Sequence, residues 1–173
     1  PMWNLNASIS GGGENSTFST SLGYLDQTGM TIYSDYKRYN FRVNSSYKKG
    51  IFSLSENIAI THRDKTPTTA FNISLPTLPI YDSEGRFFSG GGDYYINPED
   101  GKAQNKIAPL HYTDRYNKVT DIIGAITAQL DLWDGLKYKF SFSGNYSNSH
   151  NYTHTPEYYT KWNEDGTPDQ DYG

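Results

Sequence analysis

The stretch Arg38-Tyr39-Asn40-Phe41-Arg42-Val43-Asn44-Ser45-Ser46-Tyr47 decides the fold. Tyr39, Phe41, Val43, Ser45 and Tyr47 fall on one side, and Arg38, Asn40, Arg42 and Asn44 on the other. A period of two residues belongs to an extended strand, whose successive side chains point to opposite faces. Working outward, the run after it carries Phe52, Leu54, Ile58 and Ile60 on one face, interrupted by Glu56. Lys49-Gly50 between the two suits a two-residue hairpin turn, which would set Tyr47 opposite Phe52 and Val43 opposite Glu56.

The same alternation recurs on both sides. Leu5, Ala7 and Ile9 alternate with Asn6, Ser8 and Ser10, and Phe18, Thr20, Leu22 and Tyr24 alternate with serines and Gly23. Further on, Ile122, Ile126, Leu130 and Leu132 alternate with Ala125, Thr127, Gln129 and Asp131. Then Tyr138, Phe140 and Phe142 alternate with Lys137, Lys139 and Ser141. Trp133-Asp134-Gly135 fits a three-residue hairpin with the glycine in the left-handed position, pairing Leu132 with Leu136 and Asp131 with Lys137. The pattern predicts an all-β chain with six antiparallel strands in up-and-down order, near 4–10, 16–26, 36–48, 51–62, 118–132 and 136–149. Between 66 and 117 the alternation dissolves among prolines and a Gly90-Gly91-Gly92 run, so this segment reads as the main loop.

Short and long connections alternate, as in a membrane β-barrel with short turns at one end and long loops at the other. Runs of ten or so residues suit a tilted membrane-crossing strand better than the usual strand of ~5–6 residues. Placing the short turns at the bottom sorts the aromatics by height. Phe18, Tyr47, Phe52 and Tyr138 fall low, with Trp133 in the turn below; Tyr24, Tyr39 and Tyr146 fall high. Thr20, Leu22, Val43, Leu54, Ile126 and Ala128 lie between, and two aromatic belts around an aliphatic band are interface anchors. Glu56 is out of place on such a face, which leaves two explanations: the strand is shifted, or the residue lies near a rim. The same alternation also fits a soluble glycan-binding or adhesin-like β-sandwich, in which the aromatic face is core.

Composition narrows the classes. Of 173 residues, 35% are hydrophobic, which is low, yet 16% are aromatic, which speaks against disorder. The net charge of −4 leaves no basic excess for nucleic acid. The absence of cysteine removes disulfides, thiolate metal sites and Cys nucleophiles. No run of ~18 apolar residues would span a membrane as a helix. The chain begins and ends as if cut from a longer one.

Signals for chemistry are weak. His150 and His154 would share a metal on a helix, but on an extended segment they stand about 13 Å apart, too far for one ion. The loop carboxylates, such as Asp82, Glu84, Asp93 and Glu157, adjoin turn residues and have no frame holding a glycosidase pair. Neither an enzyme, a metal site nor a cofactor is expected. Asn-x-Ser/Thr matches fall on strands and are discounted as glycosylation sites. The candidate ligand or partner contacts are Arg38, Asn40 and Arg42 on the polar face, and Phe87, Phe88, Tyr94, Tyr95 and Trp162 in the loops.

Local motifs add a resemblance. Ser10-Gly-Gly-Gly-Glu14, Ser21-Leu-Gly-Tyr-Leu-Asp-Gln27, Asp35-Tyr-Lys-Arg-Tyr-Asn-Phe-Arg42 and Pro76-Thr-Leu-Pro-Ile-Tyr-Asp-Ser-Glu-Gly85 together resemble the barrel of SusC/RagA-type TonB-dependent outer-membrane transporters. The resemblance covers essentially the whole chain. It implies part of a nutrient importer in the outer membrane of a Gram-negative, Bacteroidota-like bacterium. The implied substrate is an oligosaccharide or peptide, the implied partners a SusD-like surface lipoprotein and the TonB complex. The plug domain and TonB box of that family have no counterpart in these residues.

Overall fold

A computed structural model describes residues 1–68, 79–87, 105 and 107–160. The chain forms two compact units. The first, Pro1–Pro67 with Tyr116–Asn151, is built on one sheet; the second comprises Thr68–Arg115 and Tyr152–Gly173.

Six strands follow one another in the sheet in sequence order: β1 (Met2–Gly12), β2 (Ser16–Thr28), β3 (Asp35–Lys49), β4 (Phe52–Lys65), β5 (Asp114–Trp133) and β6 (Leu136–His154). The pairings from β1 to β5 are antiparallel. The all-β meander expected from alternation is therefore present, with strands longer than the pattern alone defined. The described strands make one sheet, and that sheet does not close into a barrel. A sandwich would need a second sheet over the apolar face, and among the described residues there is none.

Within the expected loop a short helix, α1 (Ala108–Tyr112), forms, and β5 already starts at Asp114. Alternation could not reveal the helix, because its single turn is set by Asn105. The Asn105 Oδ1 accepts from the backbone N–H of Ile107 and Ala108, at 2.9 and 3.1 Å, satisfying donors that a helix start leaves free.

The β3–β4 turn also departs from expectation. It lies at Gly50-Ile51, with Lys49 opposite Phe52, so Tyr47 faces Leu54 and Val43 faces Ile58. Gly50 has φ +59°, and the first central position of a tight hairpin turn is where a left-handed glycine is wanted. The shift is two residues, so no side chain changes face. It does change Glu56, which now stands opposite Ser45 and accepts a 2.7 Å hydrogen bond from its hydroxyl. A carboxylate on the apolar face thus has a donor.

That donor makes a prediction. Ser45→Val should strand the Glu56 carboxylate and cost about 1–3 kcal/mol, the usual penalty for an orphaned polar group. The double change Ser45→Val with Glu56→Leu should recover most of the loss. Urea titration of the refolded intact protein measures both.

At the β5–β6 end, Gly135 has φ +86°, as the three-residue hairpin requires. Thr127 bonds Ser141 at 3.1 Å, and Ser147 donates to Asp121 at 2.6 Å. Counting outward from Leu132 opposite Leu136 brings both pairs face to face, so the register matches expectation. The Asp131–Lys137 ion pair is not formed: Asp131 accepts instead from the Gln129 amide at 2.8 Å. Those two share a face two residues apart on one strand, and the neutral bond keeps the carboxylate at home.

Candidate functional site: a two-faced sheet

The apolar face is open. Leu22 is 58% exposed, Ile126 47% and Phe142 66%, where core positions would be near zero. A contiguous apolar surface of this kind marks contact with something other than water.

Its upper boundary is built in two tiers. Tyr24, Tyr39 and His62 are successive cross-strand partners. Their rings lie 5.1 Å apart (Tyr24 to Tyr39) and 6.2 Å apart (Tyr39 to His62). His62 Nδ1 bonds Thr120 Oγ1 at 2.8 Å, extending the tier to β5. One step further out, Asp26, Lys37, Asp64 and Lys118 form the next row of partners, alternating in sign. Lys37 reaches Asp26 at 3.9 Å, and Lys118 reaches Asp64 at 3.8 Å. The Tyr24 hydroxyl donates to Asp26 at 2.8 Å and ties the two rows together. Apolar surface, then amphipathic rings, then compensated charge is the order met on leaving a bilayer.

The lower boundary is less sharp. Phe52 and Tyr138 both lie level with Leu130, whereas Tyr47 sits one pair higher, opposite Leu54. Tyr146, expected level with Tyr24 and Tyr39, sits one pair below them beside Ile122. The reason is register, which alternation leaves free. The ten steps from Phe52 to His62 cover about 34 Å of strand, or about 25 Å of height at a tilt of 40–45°, the height of a barrel's apolar band.

The other face is a ladder of small polar groups. Thr17 bonds Ser46 at 2.6 Å, Asn44 donates to Ser19 at 3.2 Å, and Asn57 donates to Asn44. Asn40 sits in the middle of one tier, accepting from Thr61 at 3.2 Å and lying opposite Gly23. A Cβ at Gly23 would stand 2.9 Å from Asn6 Oδ1 and 3.4 Å from Asn40 Nδ2, so the glycine makes room for two converging amides. Arg38, Asn40 and Arg42 line one shallow groove there with Asn6, Ser8 and Ser21, so these three candidates are brought together. Arg63 was not singled out from the sequence. It lies directly opposite Arg38 and pairs with Asp121. Only a known register could have found it.

The loop candidates divide. Phe88, Tyr94, Tyr95 and Trp162 lie outside the described residues. Phe87 is 7% exposed and belongs to the core of the second unit. Its ring meets Tyr81 at 4.9 Å, His111 at 5.2 Å and Tyr112 at 5.5 Å, and Tyr112 stacks on Tyr158 at 5.2 Å. Beside it the Asp82–Gly85 turn is closed by Asp82, which accepts from the backbone N–H of Glu84 and Arg86 and from the Arg86 guanidinium at 2.8 Å. His150 and His154, on an extended strand as expected, pack edge-on to Tyr116 at 5.5 Å and beside Tyr152 at 6.5 Å.

Burial alone would raise the Asp82 pKa, but its hydrogen bonds from Arg86 and Glu84 outweigh that and hold it below the ordinary carboxylate range. A depressed folded pKa contributes stability that is full above the unfolded value and lost as pH falls through the folded one. Protection of the Glu84 and Arg86 amides, relative to exchange in an unstructured chain, should hold at neutral pH and be lost only as pH falls below the ordinary carboxylate range. Asp82→Asn, which keeps an oxygen for the two backbone donors but loses the Arg86 ion pair, should show no such step.

No family model matches the chain. It is 30% identical over 122 residues to TonB-dependent receptor P26 of Formosa agariphila, an alignment covering 68% of this chain and 12% of that receptor. The relationship is receptor-like. The chain therefore corresponds to a small part of the receptor's length.

Proposed function

We propose that this chain is a segment of a membrane-spanning β-barrel in an outer-membrane, TonB-dependent nutrient importer of the SusC type. Its apolar face meets lipid and its polar ladder lines the passage. The observation carrying this reading is the exposed apolar band closed above by the Tyr24–Tyr39–His62 tier and the alternating Asp26–Lys37–Asp64–Lys118 row. The similarity to a TonB-dependent receptor supports the same reading. The import substrate on this reading is an oligosaccharide or peptide, delivered under a SusD-like lipoprotein and driven by the TonB complex. The role is conduction and binding, without catalysis.

Cysteine scanning of the intact protein in cells tests it. Asn40→Cys should react with a water-soluble maleimide and Phe142→Cys only with a lipid-soluble one. Uptake of the cognate solute should cease without TonB. Equal labelling of both positions by the water-soluble reagent, or TonB-independent uptake, overturns the reading.

A further inference from the structure

The chain as a whole is acidic, at net charge −4, yet the polar face is cationic. Strand alternation places Arg38 and Arg42 of β3 and Arg63 of β4 on it. Lys48, Lys65, Lys137 and Lys139 share the same face, near the ends of β3, β4 and β6. Against these cations the strands set only Asp121 and Asp131, both on β5.

Compensation is also incomplete at short range. Arg38 lies between Leu25 on one neighbouring strand and Arg63 on the other, so neither partner neutralises it. Like charges directly opposite one another oppose sheet formation. Arg63 shares its charge with Asp121, while among the described residues neither Arg38 nor Arg42 has an ion pair. The Nε atoms of Arg38 and Arg63 are both buried without a protein acceptor. Around them the groove offers the amides and hydroxyls of Asn6, Asn40 and Thr61, which bind sugar or peptide polar groups without regard to charge.

We propose that this groove selects anionic solutes, with Arg38 and Arg42, about 13 Å apart along β3, each holding a carboxylate or sulfate of its own and Asn40 between them holding a neutral hydroxyl or amide. Arginine presents paired donors in a fixed fork that matches such oxyanions. A surplus of like charge along a passage raises the local concentration of counter-charged solute. This deepens the import reading and rests on it, because only a passage lining meets solute.

The test uses the intact protein in detergent and three probes: cellotetraose, sulfated cellotetraose and tetragalacturonate. Calorimetry should show at least one anionic probe binding about tenfold or more tighter than cellotetraose. Arg38→Gln with Arg42→Gln should abolish that advantage, so that the anionic probes and cellotetraose bind alike. Arg42→Gln alone, at an exposed position, should remove about half of it on a logarithmic scale and guards against misfolding of the double variant. Whichever anionic probe responds identifies the group as sulfate or carboxylate. Equal binding of all three probes, or an unaltered advantage in the variants, overturns the proposal. Failure of Asn40→Cys to label from water sinks the passage reading itself. Normal labelling with no anion preference sinks only this inference.

Discussion

Ile58→Lys should block assembly of the intact protein into the membrane. Ile58 lies opposite Val43 and Gly124, midway between the Tyr24–Tyr39–His62 tier and the Phe52–Tyr138 level. On the proposed reading, in which this face meets lipid, a lysine at midplane costs about 2–4 kcal/mol, an equilibrium shift of about 30- to several-hundred-fold. Phe140→Lys should do less harm, because Phe140 is level with Tyr47 near the lower rim, where the cost falls toward about 1 kcal/mol. Asp131→Asn should be nearly silent: its carboxylate accepts from Gln129 rather than pairing with a lysine, and an amide oxygen can do the same. Heat-modifiable mobility or protease protection after membrane insertion ranks the three. If Asp131→Asn proves worse than Ile58→Lys, the apolar face does not meet lipid.

Phe87→Ala should loosen the second unit. The ring is buried and meets three other rings, two of them (His111 and Tyr112) on α1. Truncating a buried phenylalanine typically costs about 3–5 kcal/mol. Phe87→Leu, which keeps most of the volume, should cost less than half as much. Limited proteolysis at residues 79–87 and 107–112 reads both, with faster cutting there expected for the alanine variant alone. A ligand-contact role with no packing role would leave the cleavage pattern of both unchanged while lowering uptake. The expected order therefore separates packing from binding at a residue whose sequence context allowed either.

The loop illustrates a wider limit. Prolines, glycines and paired aromatics around Phe87 announced a long connection, and nothing periodic pointed to the helix Ala108–Tyr112. Its start depends on Asn105 reaching two backbone donors and on Leu110 and Ala108 finding buried places. One helical turn has too few residues to show a period of 3.6, so such an element exists only as a product of packing.

The strands behave oppositely. Alternation by itself determined that this chain makes six sequential strands with one apolar and one polar face, because the side-chain period of a strand is a local consequence of backbone geometry. It also determined that Arg38, Asn40 and Arg42 share a face, since residues two apart on one strand do so whatever lies beside them. What it left open was register. Sliding β4 by two residues preserves every face, yet it decides whether Glu56 meets Val43 or the hydroxyl of Ser45. Register likewise sets Arg63 against Arg38, lines up Asp26, Lys37, Asp64 and Lys118 as one alternating row, and drops Tyr146 a step below Tyr24. These juxtapositions join residues eleven or more positions apart, and those between β3 and β4 go with the left-handed geometry open to Gly50 at the turn. The faces were legible because they are local; the charge pattern across them became visible only once the strands were laid side by side.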